Sequence, residues 1–152
     1  MDYIQRGVTG FADPAQPLKT LHANTFLSFA HATDPGRLVL TWEDIDLTGK
    51  NYYWFLMRYG EEEWSFFLNA YYPLVAIRRE SPKTRFGYMT QAELDTIYRN
   101  PVATSGYTLL SQEMLDEQLT PEAMSRLDAT ELTQARYWQP RSVEDLVFNN
   151  WD

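Results

Sequence analysis

Residues 52–79 read YYWFLMRYGEEEWSFFLNAYYPLVAIRR, and this run decides the fold. It is dense in aromatic and branched side chains, which suit a pleated, half-buried surface. Gly60-Glu61-Glu62 interrupts it once and Pro73 again, dividing it into strands at 52–59, 63–71 and 74–79. Connections this short join antiparallel neighbours, because parallel strands need a crossover of a dozen residues or more. Within 63–71, Trp64, Phe66, Leu68 and Ala70 share one face, and Glu63, Ser65, Phe67 and Asn69 the other. Residues 52–59 are apolar or aromatic at both parities, the pattern of a central strand covered on both sides.

Working outward from this run, 37–45 reads as a further strand, joined to 52–59 through Thr48-Gly49-Lys50-Asn51. Its apolar residues change parity between Trp42 and Ile45, which predicts a bulge near 42–44. Residues 25–31 have strand texture and lead into the turn residues Asp34-Pro35-Gly36, yet Leu18, Leu21, Thr25 and Phe29 also define a helical face. The segment 18–31 is open between the two. The first 17 residues, with Asp13-Pro14 and Gln16-Pro17, read as an irregular lead-in.

Beyond Gly87 the texture becomes helical. Thr90-Gln91-Ala92-Glu93 is a capping box with Met89 and Leu94 as its staple, and Leu94, Ile97 and Tyr98 form a stripe that Asn100-Pro101 ends. Ser111, Thr120-Pro121-Glu122 and Ser142 mark further helix starts. Asp128-Ala129-Thr130-Glu131 is another capping box, although 132–138 also reads as an extended segment. The expected fold is therefore α+β, a single domain over 1–152. It has a roughly five-stranded antiparallel meander at about 24–80, followed by several short helices over 90–152 packed on one face.

Composition narrows the chemistry. The chain has 152 residues and no cysteine, which removes disulfides, thiolate nucleophiles and Cys-based zinc sites together. No nucleotide-binding glycine loop, HExxH or EF-hand pattern occurs, and the two histidines, His22 and His31, are nine residues apart on opposite faces of either element type. No metal or cofactor is expected. The net charge is −8, and residues 90–152 hold 11 acidic against 4 basic side chains. Such a surface repels nucleic acid and attracts a cationic partner. With no long apolar run and no signal-like start, the expectation is a cytoplasmic protein without a membrane partner.

Three groups of residues stand out as candidate sites. Tyr53, Phe55, Phe67 and Tyr71 exceed what one inward-facing sheet surface needs, and form a binding face, a dimer interface or a surface covered by the rest of the chain. Arg78, Arg79 and Arg85, with Lys83, make the one basic patch, suited to an anionic ligand or to the chain's own acidic helices. Asp44 and Asp46 form an acidic pair with acid/base or cation-binding chemistry, or else flank the 48–51 turn in water. Without catalytic motifs, the leading expectation is a non-catalytic protein-interaction or regulatory domain of inhibitor or immunity type. It would use an aromatic sheet face or the acidic helical part. The alternatives are a small-molecule-binding protein or enzyme with an aromatic pocket and an Arg-lined anion site, and a structural homodimer subunit.

Overall fold

A computed structural model describes residues 1–33, 38–80, 87–96 and 106–151. The elements in chain order are α1 (Ala23–Thr33), β1 (Leu38–Asp44), β2 (Tyr52–Tyr59), β3 (Glu62–Asn69), β4 (Leu74–Arg79), α2 (Gln91–Thr96), β5 (Thr108–Leu109), α3 (Gln112–Asp116), α4 (Pro121–Met124), α5 (Ala129–Trp138) and α6 (Val143–Val147). They build one five-stranded sheet in the order β1-β2-β3-β4-β5. The class is α+β.

The meander β1 to β4 is antiparallel throughout. Two details depart from the sequence reading. The segment 25–31 is helix: Phe26, Leu27 and Ala30, spaced one helical turn apart, are buried on the sheet as part of α1. The fifth strand comes instead from Thr108–Leu109, which pairs with β4 in parallel and makes the sheet mixed. The bulge in β1 lies between Leu40 and Trp42, at the edge of the expected window. The turn at 34–36, the loop at 81–86 and the stripe residues Ile97 and Tyr98 lie outside the described residues.

Helices cover both faces of the sheet rather than one. The cause is the doubly apolar β2 and β3, in which residues 64–70 are all buried. On one face α1 and the start of α2 enclose Tyr53, Phe55, Met57, Trp64, Phe66, Leu68, Val75 and Ile77. On the other, the N-terminal segment and α3 to α6 enclose Phe67, Leu74 and Ala76. The predicted caps are realised: Thr90 and Glu93 exchange hydrogen bonds at the start of α2. Ser111 caps α3, Thr120 caps α4 with Pro121 at its first position, and Ser142 caps α6. The Asp128 box settles 129–138 as helix. Among the described residues no helix is long and apolar enough to cross a membrane.

Residues 1–22 contain no helix or strand, yet Ile4 and Val8 are fully buried. Turns pair the Ile4 and Val8 amides with Met1 O and Gln5 O, and side chains reach backbone groups that the turns leave over. Asn51 Nδ2 donates to Val8 O (2.8 Å) and Leu146 O (3.3 Å), and Asn69 Nδ2 donates to Val8 O (3.0 Å) and Val147 O (2.8 Å). Asn149 Nδ2 donates to Thr9 O (3.0 Å), while its backbone N–H donates to Asn51 Oδ1 (2.8 Å). Glu131, fully buried, accepts from Gly7 N (2.7 Å), from Thr9 N (3.2 Å) and from Thr9 Oγ1 (2.5 Å).

Removing one member strands several partners. In Asn69→Ala, the Val147 carbonyl and the Tyr71 and Tyr72 amides that Asn69 Oδ1 accepts lose their bonds. With about 1–3 kcal/mol per buried unsatisfied group, the variant is expected to lose on the order of 3 kcal/mol of stability. The urea midpoint measures this, and an unchanged midpoint contradicts the assignment.

Candidate functional site

The sheet face under α6 changes character along its length. At one end Tyr52 packs edge to face on Phe67 and Phe148, and Tyr88 edge to face on Phe67 at 5.5 Å, while Phe148 lies tilted 6.3 Å from Phe67. Toward the sheet edge the cover runs out. Trp54 stacks on Phe67 at 5.5 Å, and Trp42 stands T-shaped against Trp54 at 5.0 Å with 47% of its surface exposed. The register places Val39 opposite Arg58, Trp42 opposite Leu56 and Asp44 opposite Trp54, so these pairs share this face. Val39 is 37% exposed, and Ile45, just past the strand, 51%.

Arg78 supports this ledge from β4. Its guanidinium lies 5.0 Å from the Phe67 ring and 5.8 Å from the Trp54 ring, and its Nε donates to Glu80 Oε1 at 2.9 Å. Ser65 Oγ donates to the same Glu80 oxygen (2.5 Å) and accepts from Trp54 Nε1 (2.9 Å). The arrangement fixes Trp54 by ring stacking below and a hydrogen bond at its edge. It therefore presents Trp42 on a rigid base.

The other sequence candidates do not converge here. Tyr53 and Phe55 are buried on the opposite face, where Tyr53 Oη donates to Leu21 O at 2.8 Å. Phe67 is buried beneath the ledge. Tyr71 lines a separate cleft of about 250 Å³ with Phe11, Lys50 and Trp151, and burial raises its phenol. Arg79 follows Arg78 in the strand and so points the other way, pairing with Glu62 at 2.5 Å and lying 3.9 Å from Glu93. Arg85 lies outside the described residues. No anion cradle forms from Arg78 and Arg79.

Asp44 and Asp46 organise a turn. Asp44 Oδ2 pairs with Lys50 Nζ at 2.6 Å, and its Oδ1 accepts from Asp46 N, while Asp46 Oδ1 accepts from Thr48 N. The Lys50 hydrogen bond holds the Asp44 carboxyl below its ordinary range, and the Thr48 amide does the same for Asp46. Both shift the same way, unlike an acid/base pair whose members are driven apart. Among the described residues no group of three or more His, Asp or Glu side chains gathers where it could hold a metal ion.

Sequence reasoning missed Trp42, Trp54, Tyr88 and Glu144 as site residues. Trp54 was legible as the cross-strand neighbour of the edge tryptophan once a bulge had been inferred. Glu144 had no signature, since an acidic residue in a first helical turn is common. Burial raises its carboxyl above the ordinary range, with Asp145 and Asp116 adding to the rise and the Tyr88 hydrogen bond and Arg78 opposing it. The same burial raises the Tyr88 phenol.

A carboxyl whose pKa is raised by folding holds its proton more tightly in the native state, so stability falls as pH rises through the folded pKa. Glu144→Gln is accordingly expected to raise the melting temperature relative to the parent at about pH 8 and to have no such effect at about pH 4. Calorimetry at both values decides it; a variant equally or less stable at the higher pH contradicts the burial account.

No protein-family model, curated protein or solved structure matches this chain, so its function is argued from its own geometry.

Proposed function

We propose that this chain is a non-catalytic protein-interaction module whose partner docks on the open part of the sheet face around Trp42. The observation that carries the reading is the exposure of Val39 and Trp42 on one face of β1, where the described cover over the Trp54–Phe67 stack runs out. Tryptophan and arginine are the side chains most enriched where binding energy concentrates, and Trp42, Trp54 and Arg78 supply both within one stack. Preorganisation matters as well, because a side chain already held on a rigid base loses little entropy on binding.

The face, rather than the strand edge, is the docking surface. β1 ends the sheet, but its bulge between Leu40 and Trp42 interrupts the regular edge that an added strand needs. A partner contributing an apolar protrusion fits this patch. The net charge of −8 favours a basic partner by long-range attraction.

The test is photocrosslinking in the host cell, with a benzophenone amino acid replacing Trp42, or replacing the exposed Thr133 of α5 as control. A discrete adduct to a different protein is expected at 42 and not at 133. No adduct, or one containing only a second copy of this chain, contradicts the reading. Trp42→Ala should abolish the interaction while costing only about 1 kcal/mol of stability, the worth of one aromatic contact.

A further inference from the structure

Helix α5 ends at Trp138, and the corner that leads into α6 runs against its own sequence preference. Gln139 has φ 52° and ψ 58°. This left-handed conformation is strained for a non-glycine residue, and the following Pro140 pushes its predecessor toward extended geometry instead. The corner borders a cleft of about 320 Å³ formed with the C-terminal tail. Trp138 and Trp151 both line it, their rings parallel within 3° and 6.5 Å apart between centroids. Trp138 is 36% exposed, and Tyr137 beside it, 5.1 Å away, is 78% exposed.

The polar groups around these rings are unequally committed. Most side-chain acceptors already serve the protein: Asp145 Oδ2 receives the Arg141 and Ser142 amides, Asn149 Oδ1 receives Trp151 N, and Asn150 Oδ1 receives Tyr52 Oη, which leaves Asp145 Oδ1 as the open carboxylate oxygen. The donors are uncommitted: the indole N–H groups of Trp138 and Trp151, Asn150 Nδ2 and the Arg141 guanidinium have no partner among the described residues. Gln139 adds one donor and one acceptor, so open side-chain donors outnumber open side-chain acceptors. A ligand that fits therefore offers more acceptors than donors, together with flat apolar faces.

We propose that this cleft binds an extended proline-rich segment of a protein. Proline has no backbone N–H, so such a segment presents carbonyl acceptors without donors, and its polyproline helix leaves those carbonyls unbonded internally. Its rings offer apolar faces to stacked aromatic walls, and its stiffness lowers the entropy lost on binding. A β-strand peptide brings amide donors and a sugar brings hydroxyl donors, for which this cleft has fewer open side-chain acceptors than it has donors for carbonyls. The site is distinct from the Trp42 surface and stands or falls independently of it.

The experiment uses the indole N–H cross-peaks of the five tryptophans in the full chain, assigned by single Trp→Phe variants. The probes are a decaproline peptide, a glycine–serine peptide of equal length and a soluble β-glucan oligosaccharide. Saturable shifts of Trp138 and Trp151 with decaproline alone are expected, with Trp42, Trp54 and Trp64 unmoved. Trp138→Ala should weaken binding at least about tenfold, with Arg141→Ala as a second variant should the first fail to fold. Absence of shifts, equal shifts with the glycine–serine peptide, shifts with the oligosaccharide in place of decaproline, or unchanged affinity in a folded variant overturns the proposal.

Discussion

The buried polar cluster of Asn51, Asn69, Asn149 and Glu131 is the constraint on which the rest of this structure depends. The N-terminal 22 residues have no regular secondary structure, yet they supply Ile4 and Val8 to the core on the α6 side of the sheet. Burying a backbone without a ladder strands its N–H and C=O groups, at a cost of about 1–3 kcal/mol for each one left unpaired. Turn hydrogen bonds meet part of that demand, and three asparagine side chains with the Glu131 carboxyl pair the groups of Gly7, Val8 and Thr9. Each amide reaches both chain ends: Asn51 binds Val8 and Leu146, Asn69 binds Val8 and Val147, and Asn149 binds Thr9 and Leu146. Glu131 has a double duty, closing the Asp128 capping box while receiving Gly7 and Thr9. A buried carboxylate is tolerated because backbone and hydroxyl donors surround it.

This tie between the termini also shapes the surface. It fixes the tail that carries Phe148 and Trp151, so the aromatic cover over Phe67 ends where Tyr88 and Phe148 end. Beyond that line Trp42 is left standing on Trp54. At the other side of the tail Trp151 faces Trp138 across the corner at Gln139. Both proposed binding surfaces are thus consequences of where a polar network anchors the last helix. Neither depends on the histidines: His22 precedes α1, and His31 is exposed in its last turn.

Much of the fold was legible, and the reasons are local. Helix starts were read correctly because a cap is a short-range hydrogen-bond motif, as at Thr90, Asp128 and Ser142. The strands of β2 to β4 were legible because their pattern of branched and aromatic residues is dense and their turns are short. The reading of 25–31 was ambiguous because Phe26, Phe29 and the branched or small residues near them suit either period, and only packing against Phe55 at 5.5 Å selects the helix. The parallel β5 was invisible, since two residues carry no periodicity. The candidate site was less legible. Alternation along β4 separates Arg78 from Arg79, a consequence of strand geometry that a count of basic residues overlooks. Asn51 read as a turn residue and Asn69 as a strand position, and nothing short-range in the sequence shows that Asn51, Asn69 and Asn149 meet.

Native-state hydrogen exchange tests the central claim most directly, because the Gly7, Thr9 and Asn149 amides donate to Glu131 and Asn51 inside the network. The account predicts that these three amides exchange only through global unfolding, with the same free energy and denaturant dependence as core amides of β2 and β3. Exchange through local, denaturant-independent opening of the N-terminal segment, while β2 and β3 stay protected, would contradict it.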